Sequence, residues 1–274
     1  MIQYISKENF EQIWKALSMK FNQKLNIYDD LTIEELNKIL EEDCQKIYDI
    51  YNFVPELNTG YIKCWNFTHK QFVYYTVDKY VEELDEVPIG ISIKPQESQE
   101  GYTIALKYGN TNTPDIGSNT EQYMAWGNNG ILIEGIQCAD TSAEVIADFN
   151  GRHNTELMLE LCTGQPNWRT DPKIEANGGK GYAPAAQTCW RYHTPGTNQG
   201  DWYLPAGGEM YVTMGKYWTQ LRPCFEKVNS SVTRTYIHVS TQKDASSAWH
   251  TSGGTPRTAY GKQTSSYTLP FSYF

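Results

Sequence analysis

The side chains able to carry catalysis or hold a metal are few and scattered. His69, His153, His193, His238 and His250 make neither an H-x-H nor an H-E-x-x-H arrangement, the spacings that put two imidazoles on one face of a strand or helix. Cys44, Cys64, Cys138, Cys162, Cys189 and Cys224 lie far apart, with no C-x-x-C pair and no histidine placed to complete a tetrahedral zinc set, so they read as buried thiols. No G-x-S-x-G, no P-loop and no G-x-G-x-x-G between a strand and a helix occurs. No catalytic residue, metal or cofactor is therefore expected. What remains is the chemistry of contact. The chain ends in DASSAWHTSGGTPRTAYGKQTSSYTLPFSYF, in which Trp, Tyr and Phe are spaced among Ser, Thr, Gly and Lys with a single acid, Asp244.

Bulk composition bounds the partners. The chain has 274 residues, enough for a sizeable core, and a formal charge of −9 with no basic run. That balance argues against nucleic acid and against anionic lipid, since both need clustered Lys and Arg to displace counterions. No stretch of eighteen apolar residues occurs, so membrane insertion is not expected. The first residues, MIQYISKENFEQIWKAL, mix charge with apolar side chains and lack the apolar core of an export signal. Aromatics make up 14% of the chain, 20 of them Tyr, which suits either a β-rich fold or a contact surface built on tyrosine.

The elements that must position such a surface follow from hydrophobic period. Ser6 can cap a helix carrying Phe10, Ile13, Trp14, Leu17 and Phe21. Thr32 and Glu35 form a capping box before a second stripe, Ile33, Leu36, Leu40, Cys44, Ile47, Tyr51 and Val54, which stops at Pro55. Steps of 3 and 4 suit a partner helix, and hence a homo-oligomer, and equally suit packing within one chain. From Gly60 the period becomes that of strands: YIKCWNF, QFVYYTV, PIGISIKP and GYTIALKY, with PQESQEG as a hairpin loop and residues 108–126 as an irregular loop. Further on, Asn154 is read as the cap of a helix bearing Leu157, Met158 and Leu161. Ala185, Ala186, Cys189 and Trp190 make another short helical face, and Pro205 starts a helix bearing Met210, Met214, Tyr217 and Leu221. The chain is read as α+β, with a helical attachment or oligomerisation segment over 1–58, a small β domain over 59–127 and a further domain over 128–274.

Three ordered blocks resemble a known family. Ala147-Asp148-Phe149-Asn150-Gly151 with Asn154-Thr155, then Ala185-Ala186 with Cys189 and Tyr192, then Gly200-Asp201-Trp202-Tyr203-Leu204-Pro205 with Gly208-Glu209, are similar to motifs of the C-type-lectin-like domains of gut Bacteroides and their phages. The likeness continues through His238–Trp249, Gly253-Gly254, Lys262, Ser266-Tyr267 and Leu269–Phe274. The sequence departs from the pattern at His238, where Trp is usual, and at Leu269, where Arg is usual. The resemblance implies a C-terminal C-type-lectin-like fold and a non-enzymatic binding role. In some relatives, a diversity-generating retroelement varies this same C-terminal segment. Formylglycine-generating enzymes share a related fold, but their chemistry needs paired cysteines near the C-terminus and no cysteine follows Cys224. Gln165-Pro166-Asn167 matches the calcium-and-sugar tripeptide of vertebrate C-type lectins, yet it lies between two helices and no Trp-Asn-Asp follows, so it reads as coincidence.

On that reading, Trp249, Pro270, Phe271 and Phe274 are buried pegs, and the residues between them face solvent as a paratope-like surface. The expected contacts are Gln242, Lys243, Asp244, His250, Arg257, Tyr260, Lys262, Gln263 and Tyr267. The expected role is that of a phage virion protein, from a tail or head fibre, adsorbing to a protein or glycan of the bacterial surface and held to other virion proteins by its N-terminal helices. The alternative is a structural virion or bacterial cell-surface protein that uses the fold for assembly.

Overall fold

Apolar residues at alternate positions of four strands fall into register and make the central ladder of the molecule. In the computed structural model, which describes residues 53–109, 123–162 and 181–274, strands β1 (Gly60–Asn66), β2 (Gln71–Tyr75), β3 (Glu86–Ile93) and β4 (Tyr102–Ala105) form an antiparallel sheet. Its order is β10-β4-β3-β1-β2, completed by the last strand of the chain, β10 (Phe271–Tyr273). Ile62, Ile91, Ile104 and Phe271 stand opposite one another across β1, β3, β4 and β10, each shielded from solvent. Cross-strand β-branched and aromatic pairs of this kind are the unit of sheet stability.

That sheet corrects one boundary. Residues 59–127 do not close a sheet of their own, because the C-terminal Phe271–Tyr273 supplies its fifth strand, and Pro55–Phe274 form one compact unit. The helical stripes read over residues 6–54 and the Gln165-Pro166-Asn167 tripeptide lie outside the described residues, apart from the end of the second stripe at Val54.

The remaining elements are short. They are β5 (Met124–Ala125), α1 (Ser142–Ala147), α2 (Gly151–Glu160), α3 (Pro184–Arg191), α4 (Gly207–Met210), α5 (Trp218–Lys227), β6 (Tyr236–Gln242), β7 (Ser247–Ser252), β8 (Thr255–Gly261) and β9 (Ser265–Ser266). The fold is α+β. A capping box of Thr141 and Glu144 starts α1. The stripe of Met210, Met214, Tyr217 and Leu221 is buried throughout, but it runs through a π-helical turn, Tyr211–Gly215, rather than one continuous helix. Asn154 is not a cap. It sits inside α2, whose N-cap is Asn150, and its side chain is buried.

The motif residues converge on one buried polar hub. Asp148 Oδ2 accepts from Thr241 Oγ1 at 2.6 Å and from Asn154 Nδ2 at 3.1 Å, while Oδ1 accepts from Asn150 N at 3.0 Å. Asn154 Nδ2 also reaches Ser240 Oγ at 3.2 Å, and Gly207 N donates to Thr241 Oγ1 at 3.0 Å. Glu209 Oε2 caps the start of α4 by accepting from Ala206 N at 2.8 Å. Burial, with the Asp148 charge adding to it, holds the Glu209 carboxyl well above the usual carboxylate range. The hub ties β6 to α1, α2 and α4 at Ser240-Thr241, the residues that lead directly into the C-terminal surface.

Candidate binding surface

Strands β6, β7 and β8 form a three-stranded antiparallel sheet in that order. Ser252-Gly253-Gly254-Thr255 joins β7 to β8 through a two-residue turn whose glycines have φ of +58° and +80°. A pair of positive φ angles is the backbone that a tight hairpin demands and that side chains resist. Side chains at alternate positions place Tyr236, His238, Ala248, His250 and Tyr260 on one face of this sheet, since Tyr236 pairs with Ser252, His238 with His250 and Ala248 with Tyr260.

On that face the aromatics stack. Tyr260 lies on the His250 ring at 5.0 Å and 21°, and His250 meets His238 edge to face at 4.4 Å. Both imidazoles are buried, and His238 Nε2 is 2.7 Å from Met124 O in β5. Burial lowers the His238 pKa to about 3 and the His250 pKa to about 4, with the neighbouring His250 lowering His238 further. The imidazoles are therefore neutral spacers. A second stack stands beside them, since Ile237 bridges Tyr267, and Tyr267 is sandwiched between Tyr108 at 4.5 Å and Tyr123 at 4.2 Å. Among the described tyrosines only Tyr123, Tyr236 and Tyr260 are exposed, at 58%, 54% and 43%.

At the other end of the sheet three turns are stitched together from below. Lys262 N donates to Ser246 O at 2.7 Å, Gly130 N to Ala245 O at 2.9 Å and Gly127 N to Lys262 O at 3.1 Å. Under them, Gln242 Nε2 donates to Ile133 O and Ile136 O at 2.6 and 3.0 Å, and its Oε1 accepts from Ile133 N and Lys262 Nζ at 3.2 and 3.3 Å. Both amide hydrogens and both lone pairs are used. Lys262 Nζ also donates to Ile131 O at 2.7 Å and sits 4.6 Å from the centre of the Trp126 ring. Burial lowers its pKa to about 8, against the opposing pull of Asp244.

These placements divide the nine expected contact residues. Asp244, Arg257, Tyr260 and Gln263 are exposed, and Lys243 is partly so. The Ser246 N–H, bonded to Asp244 Oδ1 at 2.7 Å, holds that carboxylate below its usual range. Gln242, His250 and Lys262 are corrections. All three are buried, with their hydrogen bonds or ring faces directed inward. Tyr267 is half-buried, with both ring faces taken by other tyrosines. Of the pegs, Trp249 and Phe271 are buried and Phe274 is half-buried. Cys138 is exposed, which departs from the reading of all cysteines as buried; Cys64 and Cys162 are buried, and burial pushes their thiols up to about 12.

Two exposed tyrosines escaped the sequence reading. Tyr236 was legible through the Tyr236-Ile237-His238-Val239 alternation, which sets it on the side of His238. Tyr123 carries no such signal, because its position depends on β5 pairing with β9, Met124 opposite Ser266.

The Lys262 arrangement yields a prediction. Replacing Lys262 by Ala leaves Ile131 O and Gln242 Oε1 short of a charged donor, at a cost of about 3 kcal/mol. Urea unfolding should show the loss, and hydrogen exchange at the Ile133 amide should speed up more than exchange in β3. Equal protection of Ile133 in the variant would refute the role given to Lys262.

No protein-family model and no curated protein matches the chain. A solved structure similar to it is a fimbrial protein from Bacteroides ovatus ATCC 8483, with a TM-score of 0.44 and 14% sequence identity, covering 78% of this chain and 48% of that one. The chain thus spans about half the length of that protein.

Proposed function

We propose that the C-terminal unit is a C-type-lectin-like, non-enzymatic binding domain that adsorbs a phage virion to a bacterial surface. The observation that carries the reading is the exposure of Tyr123, Tyr236 and Tyr260 beside buried His250 and His238, which stack under the Tyr260 ring and are fixed through His238 Nε2 and Met124 O. Tyrosine offers wide amphipathic contact with few rotatable bonds, and a fixed support lowers the ordering cost of binding. Arg257, Gln263 and Asp244 add exposed polar groups to the same β unit. The motif resemblance is the reason for choosing this fold and this setting, and several copies on one particle would convert weak contacts into firm attachment.

The test is labelling of candidate host cells by the fluorescently tagged full chain. Tyr236→Ala together with Tyr260→Ala is expected to reduce labelling at least about tenfold, a loss of roughly 1.4 kcal/mol, while the melting temperature stays within a few degrees. Tyr267 is a poor choice for this purpose, because its removal breaks the Tyr108–Tyr267–Tyr123 stack. Undiminished labelling by the double variant would sink the reading and favour a role in assembly.

A further inference from the structure

Helix α5 and the segment after it enclose a cavity of about 320 Å³ that the adsorption surface does not use. Trp218, Arg222, Phe225 and Glu226 follow one another at helical spacing on one face of α5, and Ser230, Val232 and Thr233 form the opposite wall. The floor is apolar and aromatic. Phe225 and Val232 are buried, and the half-buried Trp218 lies against Phe225 at 5.7 Å and 30°.

The rim is polar without net charge. Arg222 Nε bonds Glu226 Oε1 at 2.6 Å, so the guanidinium and carboxylate cancel and leave Oε2 and the Nη groups for a ligand. Such an exposed i,i+4 pair adds little to stability. The opposite wall is rigid. The Tyr108 hydroxyl donates to Thr233 O at 2.7 Å and accepts from Thr233 N at 2.9 Å, and Ser230 Oγ donates to Leu106 O at 2.6 Å. With both backbone groups of Thr233 occupied, the side-chain hydroxyl is the polar group that this exposed residue adds to the lining.

We propose that this cavity binds one neutral pyranose ring of a glycan. A hexose has an apolar C–H face and a rim of hydroxyls that each donate and accept. The half-buried Trp218 ring, backed by buried Phe225, suits the first, and paired Arg222 and Glu226 with Thr233 suit the second. A charged ligand would meet only a compensated ion pair, and a purely apolar one would strand the rim groups from water. Its lining includes neither Tyr236 nor Tyr260, so the assignment stands or falls apart from the adsorption reading.

Saturation-transfer NMR on the full chain with methyl glycosides of glucose, galactose and mannose, at millimolar concentration, tests it. At least one hexoside should receive transfer and alter tryptophan emission. Trp218→Ala should weaken it about tenfold, the loss of one stacking contact of roughly 1.4 kcal/mol. Glu226→Gln and Thr233→Val, both at exposed positions, should weaken it without changing the melting temperature, and Tyr236→Ala with Tyr260→Ala should leave it unchanged. No transfer to any hexoside, transfer that survives Trp218→Ala, or tighter binding of N-acetyl-tyrosinamide than of every hexoside would each overturn the assignment.

Discussion

Replacing Asp148 by Ala is expected to lower the unfolding free energy by about 4 kcal/mol, because two buried donors, Thr241 Oγ1 and Asn154 Nδ2, lose a charged acceptor. Asp148 is fully buried and receives Thr241 Oγ1, Asn154 Nδ2 and Asn150 N. Each stranded donor costs on the order of 1–3 kcal/mol, and partial relaxation keeps the sum below the maximum. Asp148→Asn keeps the shape but turns one acceptor into a donor facing Thr241 or Asn150, so it should recover only part of the loss. Urea unfolding followed by tryptophan fluorescence reads both. If Asp148→Ala unfolds at the same urea concentration as the unsubstituted chain, the hub does not hold β6 in place.

Acid should weaken the fold through the two stacked imidazoles. Their folded pKa values, about 3 for His238 and about 4 for His250, lie below the ordinary histidine value near 6.5. A lowered histidine pKa means that the unfolded chain takes up protons first. The contribution is therefore whole above about pH 6.5 and shrinks as pH falls toward the folded values. At pH 5 each ring has given up about 1.5 pH units of linkage, so the pair together costs about 4 kcal/mol relative to neutral pH. Other groups titrate as well, Glu209 with the opposite sign because its folded pKa is raised. They cancel when the unsubstituted chain is compared with His238→Phe. The variant loses the bond to Met124 O at every pH, and its stability should fall about 2 kcal/mol less between pH 7.5 and pH 5. Parallel stability curves would show that the folded chain protonates His238 as readily as the unfolded one, against the lowered pKa that its burial gives.

Legibility followed the range of the interaction. All four N-terminal strands and the face of α3 were readable, because alternation and helical spacing depend on neighbours a few residues away. Asn154 misled for a specific reason: an Asn before an apolar run signals a cap, but here the amide is drawn inward by Asp148 and Ser240, six and 86 residues away in sequence. Exposure along the C-terminal segment was half legible. Tyr260, Arg257, Gln263 and Asp244 are exposed as their polar, turn-rich surroundings suggested. Gln242 and Lys262 look like the same class of residue in sequence, and their burial reflects carbonyls of Ile131, Ile133 and Ile136 more than a hundred residues upstream.

Sequence by itself determined the α+β class and the strands from Gly60 to Ala105. Those features follow from side-chain period, which is local. Tertiary structure alone decided that β10 closes the N-terminal sheet, that Asp148 and Glu209 share one dry hub, and which polar residues of the C-terminal segment look outward. A buried polar side chain is permitted only where distant partners satisfy it, and no local pattern records where those partners will stand.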